Sequence, residues 1–562
     1  MTRKVYEVLA EAFLQEEIDT CFALLGDANM NWATTLGERG TRMIYLRHEH
    51  CAVSAAMSYA RSSGRVGIAT VTCGPGLTQT LTALPAAVRA SLPLVIFAGE
   101  SPLGAAWYNQ QIDQAPLITA TGAAYIQMHS IKRMPTQIRD AFVQAQEEGR
   151  PVVLGVPFDL QDAEWPGGDL PAPSAQVLPK LAPMPPHPDA IAELAAKVRA
   201  ARRVVVMAGL GAAHADATAA CTALAERTGA LLATTLPARG LFHDAPFHVG
   251  VAGGFSTAVA RACFAEADLV IAVGARLTQH NLDKGKLFPK AEIVQIDLSP
   301  RALSQGRVAA DHHLRADARL GVEALVEALG SEPVTGWRSP ELARAIAETP
   351  ADPAEFPADG DLLDPRDVVA ALDRALPGDW QLVNSSGHCS FYFAQMSRRP
   401  FEKFTTIREF GAIGNGISYA IGVAAAHPDQ TVVLFDGDGS LLMHIQELEA
   451  IRRHGLNILI CALNDGAYGS EIHKLRDEGL PDTGAVFGHT DLAAIARGFG
   501  VGGETVTDLA RLPDLVAGFT ASGGAALWDF PISDRIASPV IRRAHPGGHA
   551  GQERPVSVDI PA

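Results

Sequence analysis

The sequence predicts an α/β protein built from three doubly wound parallel-sheet domains, and three observations lead there. Short apolar runs alternate with helix-like segments along almost the whole chain, the pattern of parallel strands covered by helices. Each run ends in glycine or polar residues, as strands of an open sheet do at their carboxyl ends. At 562 residues the chain is also far longer than one hydrophobic core supports, so clefts between domains are expected.

The first unit, residues 1–170, holds the strand candidates CFALLG, RMIYLRH, GIATVTCG, LVIFAGE and PVVLGVPFD. LPKLAPMPPHPD, residues 178–189, is too rich in proline for either regular element and marks a linker. The second unit, 190–335, holds RRVVVMAG, GALLATT, ADLVIAVG and AEIVQID, and a stretch of mixed helix and linker composition follows it. The third unit, 361–533, repeats the scheme with WQLVNSSG, TVVLFDGDG, LNILICALND and AALWDFP. The first and third units each have a strand that runs into a glycine turn, ATVTCGPG and VLFDGDGS, which hints at two related sheets. Residues 534–562 form a tail.

Hydrophobic residues make up 48% and charged residues 19%, the balance of a globular protein. A formal charge of -16 disfavours nucleic acid and anionic membranes as partners, so an anionic ligand needs a local basic site. The 7 cysteines are scattered without a C-x-x-C pair, which argues against a disulfide framework or a zinc knuckle. MTRKVYEVLAEAFLQEE reads as an amphipathic helix rather than a signal peptide, and no apolar run reaches the length of a membrane span. A cytoplasmic protein is expected.

The stretch TVVLFDGDGS places Asp438 between Gly437 and Gly439 at the end of an apolar run. Open parallel sheets bind ligands at this end, where helix N-termini present free amides. The glycines permit a sharp turn and close backbone approach, and Ser440 and the amides after it face a phosphate. Asp438 would repel that phosphate unless a hard cation lay between them, because magnesium takes carboxylate and phosphate oxygens together. The next apolar run, LNILICAL, ends in Asn464, Asp465, Gly466, Ala467, Tyr468 and Gly469. Residues 440–463 suffice for one helix and one strand, which brings the two strand ends side by side. Either turn alone reads as an ordinary turn; the pair at this spacing points to a metal and a phosphate.

The pair resembles the diphosphate-binding signature of thiamine diphosphate enzymes. The resemblance implies that Asp438, Asp465 and the carbonyl of Ala467 hold magnesium, with Gly437, Gly439, Ser440, Tyr468 and Gly469 around the cofactor. Asp465 stands where the family usually has asparagine, which alters local charge but keeps an oxygen ligand. RMIYLRHEHCAVSAAMSYARSSG resembles the family's catalytic-glutamate segment, with Glu49 followed in register by Ala52, Ala56, Tyr59, Ala60 and Arg61. Alone, Glu49 is a helix-start glutamate favoured by the dipole; the resemblance makes it the carboxylate that protonates the cofactor's pyrimidine ring. Ile413 in EFGAIGNGISYAIG matches the aliphatic side chain under the cofactor, or is an ordinary core isoleucine. VNSSGHCSFYFAQ resembles the segment against the diphosphate, with Gly387 and His388 as candidates, although His388 also fits a structural role. The middle unit resembles the central Rossmann-like domain of acetolactate synthases and their relatives, which holds ADP or a similar nucleotide in some members. AGLGAAH, residues 208–214, lacks the third glycine of a dinucleotide fingerprint, so redox use of NAD is not implied. Because family members join the glutamate and the metal motif between subunits, a homodimer or homotetramer is implied. The resemblance spans residues 1 to about 533.

The loops bear on the reaction. AAWYNQQIDQAP lacks the paired histidine of pyruvate-type decarboxylases. Asn109, Gln110, Gln111, Ile112, Asp113 and Gln114 keep the last part of a pattern found in the oxalyl-CoA decarboxylase and 2-hydroxyacyl-CoA lyase branch, or form a polar loop without ligand contact. Gln110 and Gln111 are the catalytic candidates there. Glu471 matches a catalytic glutamate of 2-oxo acid decarboxylases that shuttles protons, or is a solvated helix-start acid. The tail is locally basic through Arg535, Arg542, Arg543 and His545 and reads as a lid over a bulky anion, with Lys284 and Lys286 as further phosphate contacts, or as a mobile end. Together these features look most like 2-hydroxyacyl-CoA lyases, thiamine diphosphate- and magnesium-dependent enzymes that cleave a 2-hydroxyacyl-CoA to a ketone or aldehyde plus formyl-CoA. Two other readings stand beside that one: an acetolactate synthase-like 2-oxo acid carboligase or decarboxylase, and a non-catalytic cofactor-binding subunit. The presence of both Glu49 and Asp438 argues against the last.

Overall fold

Three six-stranded parallel sheets form the body of the chain in the computed structural model, which describes residues 3–331, 336–396, 399–547 and 551. The first sheet contains β1 (Thr20–Ala23), β2 (Arg42–Tyr45), β3 (Gly67–Val71), β4 (Leu94–Glu100), β5 (Ala124–Gln127) and β6 (Pro151–Pro157) in the order β2-β1-β3-β4-β6-β5. The second contains β7 (Val204–Ala208), β8 (Leu231–Thr234), β9 (His248–Val251), β10 (Leu269–Val273) and β11 (Glu292–Asp297). After a short hairpin of β12 (Leu303–Ser304) and β13 (Arg307–Val308), β14 (His312–Arg315) completes it in the order β14-β11-β10-β7-β8-β9. That is the strand order of a doubly wound Rossmann sheet. The third contains β15 (Gln381–Asn384), β16 (Phe404–Thr406), β17 (Val432–Gly437), β18 (Ile458–Asn464), β19 (Gly502–Thr505) and β20 (Ala525–Pro531), ordered β16-β15-β17-β18-β20-β19. Counted within each unit, the first and third sheets have the same strand order, as their shared glycine-turn pattern hints.

The central strands β3, β6 and β18 are buried along their whole length, which is why they read as continuous apolar runs rather than alternating ones. Residues 178–187 carry neither helix nor strand. Among the described residues no helix is long and apolar enough to cross a membrane, and all 7 cysteines are buried free thiols.

The first and third units share one core. Helix Glu49–Ser63 crosses helix Gly416–Ala426 so closely that a Cβ on Gly422 would stand 2.0 Å from the carbonyl oxygen of Ala55. Only glycine admits that approach. Beside the crossing, the Arg47 N–H donates to both oxygens of the buried Glu447 carboxylate, at 3.0 and 3.1 Å. His50 Nε2 meets Asn415 Oδ1 at 2.5 Å.

Candidate active site

β17 and β18 run parallel with Gly437 opposite Leu463, so Asp438 and Asp465 follow at adjacent carboxyl ends. Asp438 Oδ1 accepts from the Gly439 N–H at 2.8 Å, and Oδ2 accepts from the Gly466 N–H at 2.9 Å. Asp465 Oδ1 accepts from the Ala467 N–H at 3.2 Å. Burial raises the pKa of Asp438, and burial together with the Asp438 carboxylate raises that of Asp465 well above the carboxylate range. Two like charges held in so dry a place call for a shared proton or a cation.

Gly387, His388, Ile413, Gly437, Asp438, Gly439, Ser440, Asp465, Ala467, Tyr468, Gly469 and Glu471 all line one cleft above this pair. A Cβ on Gly439 would come 2.9 Å from the Tyr468 ring, and one on Gly469 would come 2.4 Å from Asp465 Oδ2. The glycines are therefore fixed by close approach. Ser440 departs from expectation, because its hydroxyl does not face the cleft as a free phosphate donor. It donates to Asp436 at 3.0 Å and accepts from the Gly414 N–H at 2.9 Å. Burial pushes the Asp436 carboxyl up to about 7. His388 Nε2 accepts from the Ser538 N–H at 2.9 Å, so a neutral imidazole carries its proton on Nδ1. Glu471 lines the cleft but leaves 55% of its side chain exposed and pairs with Lys474 at 3.2 Å; this chain alone does not enclose it.

Ser386, Cys389, Tyr392, Leu463 and Ile532 also line the cleft, and the sequence reading missed them. Their neighbours, Gly387 and Asn464, were the available signals. The tail explains part of this wall. Ile536 accepts through its carbonyl from the Tyr392 hydroxyl at 2.8 Å, and Arg542 is buried in an ion pair with Asp352 at 2.7 Å. Arg535 pairs with Asp359, Arg543 donates to the Gly254 carbonyl, and His545 stands 3.4 Å from Asp477. The basic groups expected to cover a bulky anion are thus engaged within the chain, and the described part of the tail is docked rather than lid-like. Residues 548–550 and 552–562 lie outside the described residues.

Glu49, Gln110 and Gln111 do not line this cleft. Glu49 opens its helix beside Gly76, whose Cβ position lies 3.4 Å from Glu49 Oε1, and burial raises its pKa. Gln110 packs its backbone against Gly74 and its amide oxygen against Cys73 Sγ at 3.3 Å. Gln111 is exposed. The buried Gln114, overlooked as a site residue, holds the Gly74 N–H at 2.9 Å and shapes the turn. Apolar side chains remain exposed at the rims of both halves: Trp107 (75%) on the first unit, Phe487 (44%) and Met443 (48%) on the third.

The cleft suits a divalent cation and a diphosphate. Among the described residues no group of three or more His, Cys, Asp or Glu is placed to hold a metal ion by itself. Ser385 and Ser386 hydroxyls are buried without a partner among the described residues. In the central sheet, a Cβ on Gly209 would stand 2.3 Å from the Gly274 carbonyl oxygen. That glycine is accounted for by loop packing without a nucleotide. Lys284 and Lys286 are exposed on the turn Asp283–Gly285 and its edge.

Comparison with known proteins agrees with this geometry. Three family descriptions match in order: the N-terminal TPP binding domain of thiamine pyrophosphate enzymes over residues 3–117, their central domain over 191–325, and their C-terminal TPP binding domain over 385–530. Relatives include the acetolactate synthase large subunit of Parasynechococcus marenigrum, 29% identical over 89% of this chain and 83% of that protein. Acetolactate synthase 2 of Zea mays is 29% identical over 94% and 85%. The acetolactate synthase isozyme 2 large subunit of Escherichia coli is 28% identical over 89% and 90%.

Proposed function

The chain belongs to the thiamine pyrophosphate enzyme family, and from that premise we propose that it is a magnesium-dependent carboligase or decarboxylase of 2-oxo acids. The Asp438–Asp465 pair at adjoining strand ends carries the reading, because its carboxylates would hold a cation where a diphosphate would reach it. The acetolactate synthases among the relatives favour a 2-oxo acid substrate. The expected 2-hydroxyacyl-CoA lyase finds no support among them, and Arg535 and Arg542 of the tail are engaged with Asp359 and Asp352 of this chain.

When bound, thiamine diphosphate supplies a nucleophilic carbon and an electron sink. Asp438, Asp465 and the Ala467 carbonyl would hold magnesium, and Gly437, Gly439 and Gly469 would let the backbone approach the diphosphate. Ile413 would press on the cofactor from below. Glu49 would hold a proton for the pyrimidine ring, and because it lies outside this chain's own cleft it would serve the cleft of a second chain. The exposed rims around Trp107 and Phe487 suit that pairing, so the working unit is at least a homodimer. Enclosed by the second chain, Glu471 would move a proton at the reacting carbon.

The holoenzyme, loaded with magnesium and thiamine diphosphate, should consume pyruvate with release of carbon dioxide and leave 2-hydroxyacyl-CoA intact. Cleavage of the CoA ester without pyruvate turnover would reverse the assignment.

A further inference from the structure

Ile413 lines the cleft from irregular backbone, in a turn that precedes the helix Gly416–Ala426. A side chain on such a segment keeps its place only if the backbone beside it is tied down. Gly414 has φ +88°, and a Cβ there would lie 3.1 Å from both Met443 Sδ and His444 Nδ1, so the turn sits directly on the segment Leu442–His444.

Three contacts tie the turn. The Gly414 N–H donates to Ser440 Oγ at 2.9 Å, and the Gly414 carbonyl meets His444 Nδ1 at 2.8 Å. Asn415 Oδ1 meets His50 Nε2 at 2.5 Å. A carbonyl only accepts, so His444 carries its proton on Nδ1. Asn415 Nδ2 donates to the Tyr419 hydroxyl at 3.1 Å, which leaves Oδ1 as the acceptor and places the His50 proton on Nε2.

The two imidazoles act as one block. They are buried and stacked, with centroids 5.0 Å apart and planes within 6°, and His48 stands edgewise to His444 at 5.1 Å. Burial lowers the pKa of both, that of His50 to about 4, so the stack is neutral at neutral pH and its faces meet without repulsion. His50 belongs to the helix Glu49–Ser63 of the first unit, and His444 to the third unit. Packing of the joint alone would not require both rings to direct an N–H at neighbouring residues of one turn.

We propose that His444, backed by His50, is a positioning residue that holds the Gly414 carbonyl and thereby keeps Ile413 pressed against the cofactor. The proposal rests on the placement of Ile413 under thiamine diphosphate given above and is independent of the substrate. An aliphatic side chain that bends the cofactor must be held to a fraction of an ångström, because small misplacements of reacting groups cost large factors in rate.

The test measures deuterium exchange at the nucleophilic carbon of bound thiamine diphosphate by nuclear magnetic resonance after acid quench, with no substrate present, together with cofactor affinity by calorimetry. His444→Phe keeps a stacking ring and removes the donor; His444→Asn keeps a donor near the Nδ1 position and removes the ring. His444→Phe should slow exchange by about tenfold or more while affinity stays within about threefold, and His444→Asn should recover part of the loss. Ile413→Ala should be slowed at least as much, and the double variant should be no slower than Ile413→Ala, because the two changes act through one element. If the larger ring prevents folding, judged by circular dichroism, His444→Ala takes its place in the same cycle. Unchanged exchange in the His444 variant overturns the proposal, as do an equal fall in affinity, additive losses in the double variant, or His444→Asn as slow as His444→Phe. Unchanged exchange in Ile413→Ala refutes the placement of Ile413 itself, and the proposal falls with it; slowed exchange in Ile413→Ala beside a normal His444 variant refutes the proposal alone.

Discussion

Glu447→Gln isolates the cost of one buried charge at the joint between the first and third units. The Glu447 side chain is 0% exposed, and burial pushes its carboxyl up to about 7 against an ordinary 4.5, although the Arg47 N–H partly offsets this. A carboxyl with a raised folded-state pKa holds more protons folded than unfolded. Its contribution to stability therefore falls as pH rises from about 4.5 to about 7 and stays low above that. At about 1.4 kcal/mol per pH unit the cost is about 1 kcal/mol at pH 5 and about 3 kcal/mol at pH 8. Glutamine carries neither cost. Against this stands one lost acceptor, since Arg47 donates to both carboxylate oxygens, worth about 1 kcal/mol at any pH. The variant should be close to wild type at pH 5 and more stable by about 2 kcal/mol at pH 8. For a cooperative unit of about 300 residues that is a rise of about 3 °C in Tm, measurable by scanning calorimetry without metal or cofactor. A difference of the same size and sign at both pH values would refute the reasoning, because only a buried titrating charge makes it pH-dependent.

Three further outcomes follow from the site and its support. Asp438→Asn should weaken magnesium-dependent binding of thiamine diphosphate by roughly tenfold or more in calorimetry, and an unchanged affinity removes Asp438 from the metal site. Glu49→Gln should keep its circular dichroism spectrum while turnover falls by about a hundredfold or more; near-wild-type rates would end its catalytic assignment. Gly422→Ala should lose about 2 kcal/mol or more of stability, since the new methyl would meet the Ala55 carbonyl at 2.0 Å, and an unshifted Tm would show that the helix crossing yields.

The sheets were legible where strands are buried on both faces. CFALLG, GIATVTCG, LVIFAGE and LNILICAL carry β1, β3, β4 and β18. Apart from the hairpin β12–β13, the strands overlooked were the short edge strands β5, β9, β14, β16 and β19; AYIQ, HVGV, HHLR and GGET are only partly covered, and FTT, though buried, is three residues long with two threonines, so none offers a continuous apolar run. The site divided in the same way. Asp438 and Asp465 were visible because turn chemistry and spacing are local properties. The wall at Tyr392 was not, since Ile536 meets its hydroxyl only through a contact between residues far apart in the chain. Ser440 shows the opposite failure: its position was legible, but its rotamer answers to Asp436 and Gly414.

The docked C-terminal segment sets an order of events during synthesis. Ile536 and Ser538, which fasten Tyr392 and His388, leave the ribosome after all the strands of the three sheets, as does Arg542, which clasps Asp352. All three sheets can form earlier, because domains generally fold as they emerge from the N-terminus. A nascent polypeptide therefore acquires its metal-ligating carboxylates before the cleft beside them is fully walled. A message truncated by a late stop codon would yield a chain that folds yet remains open on that side.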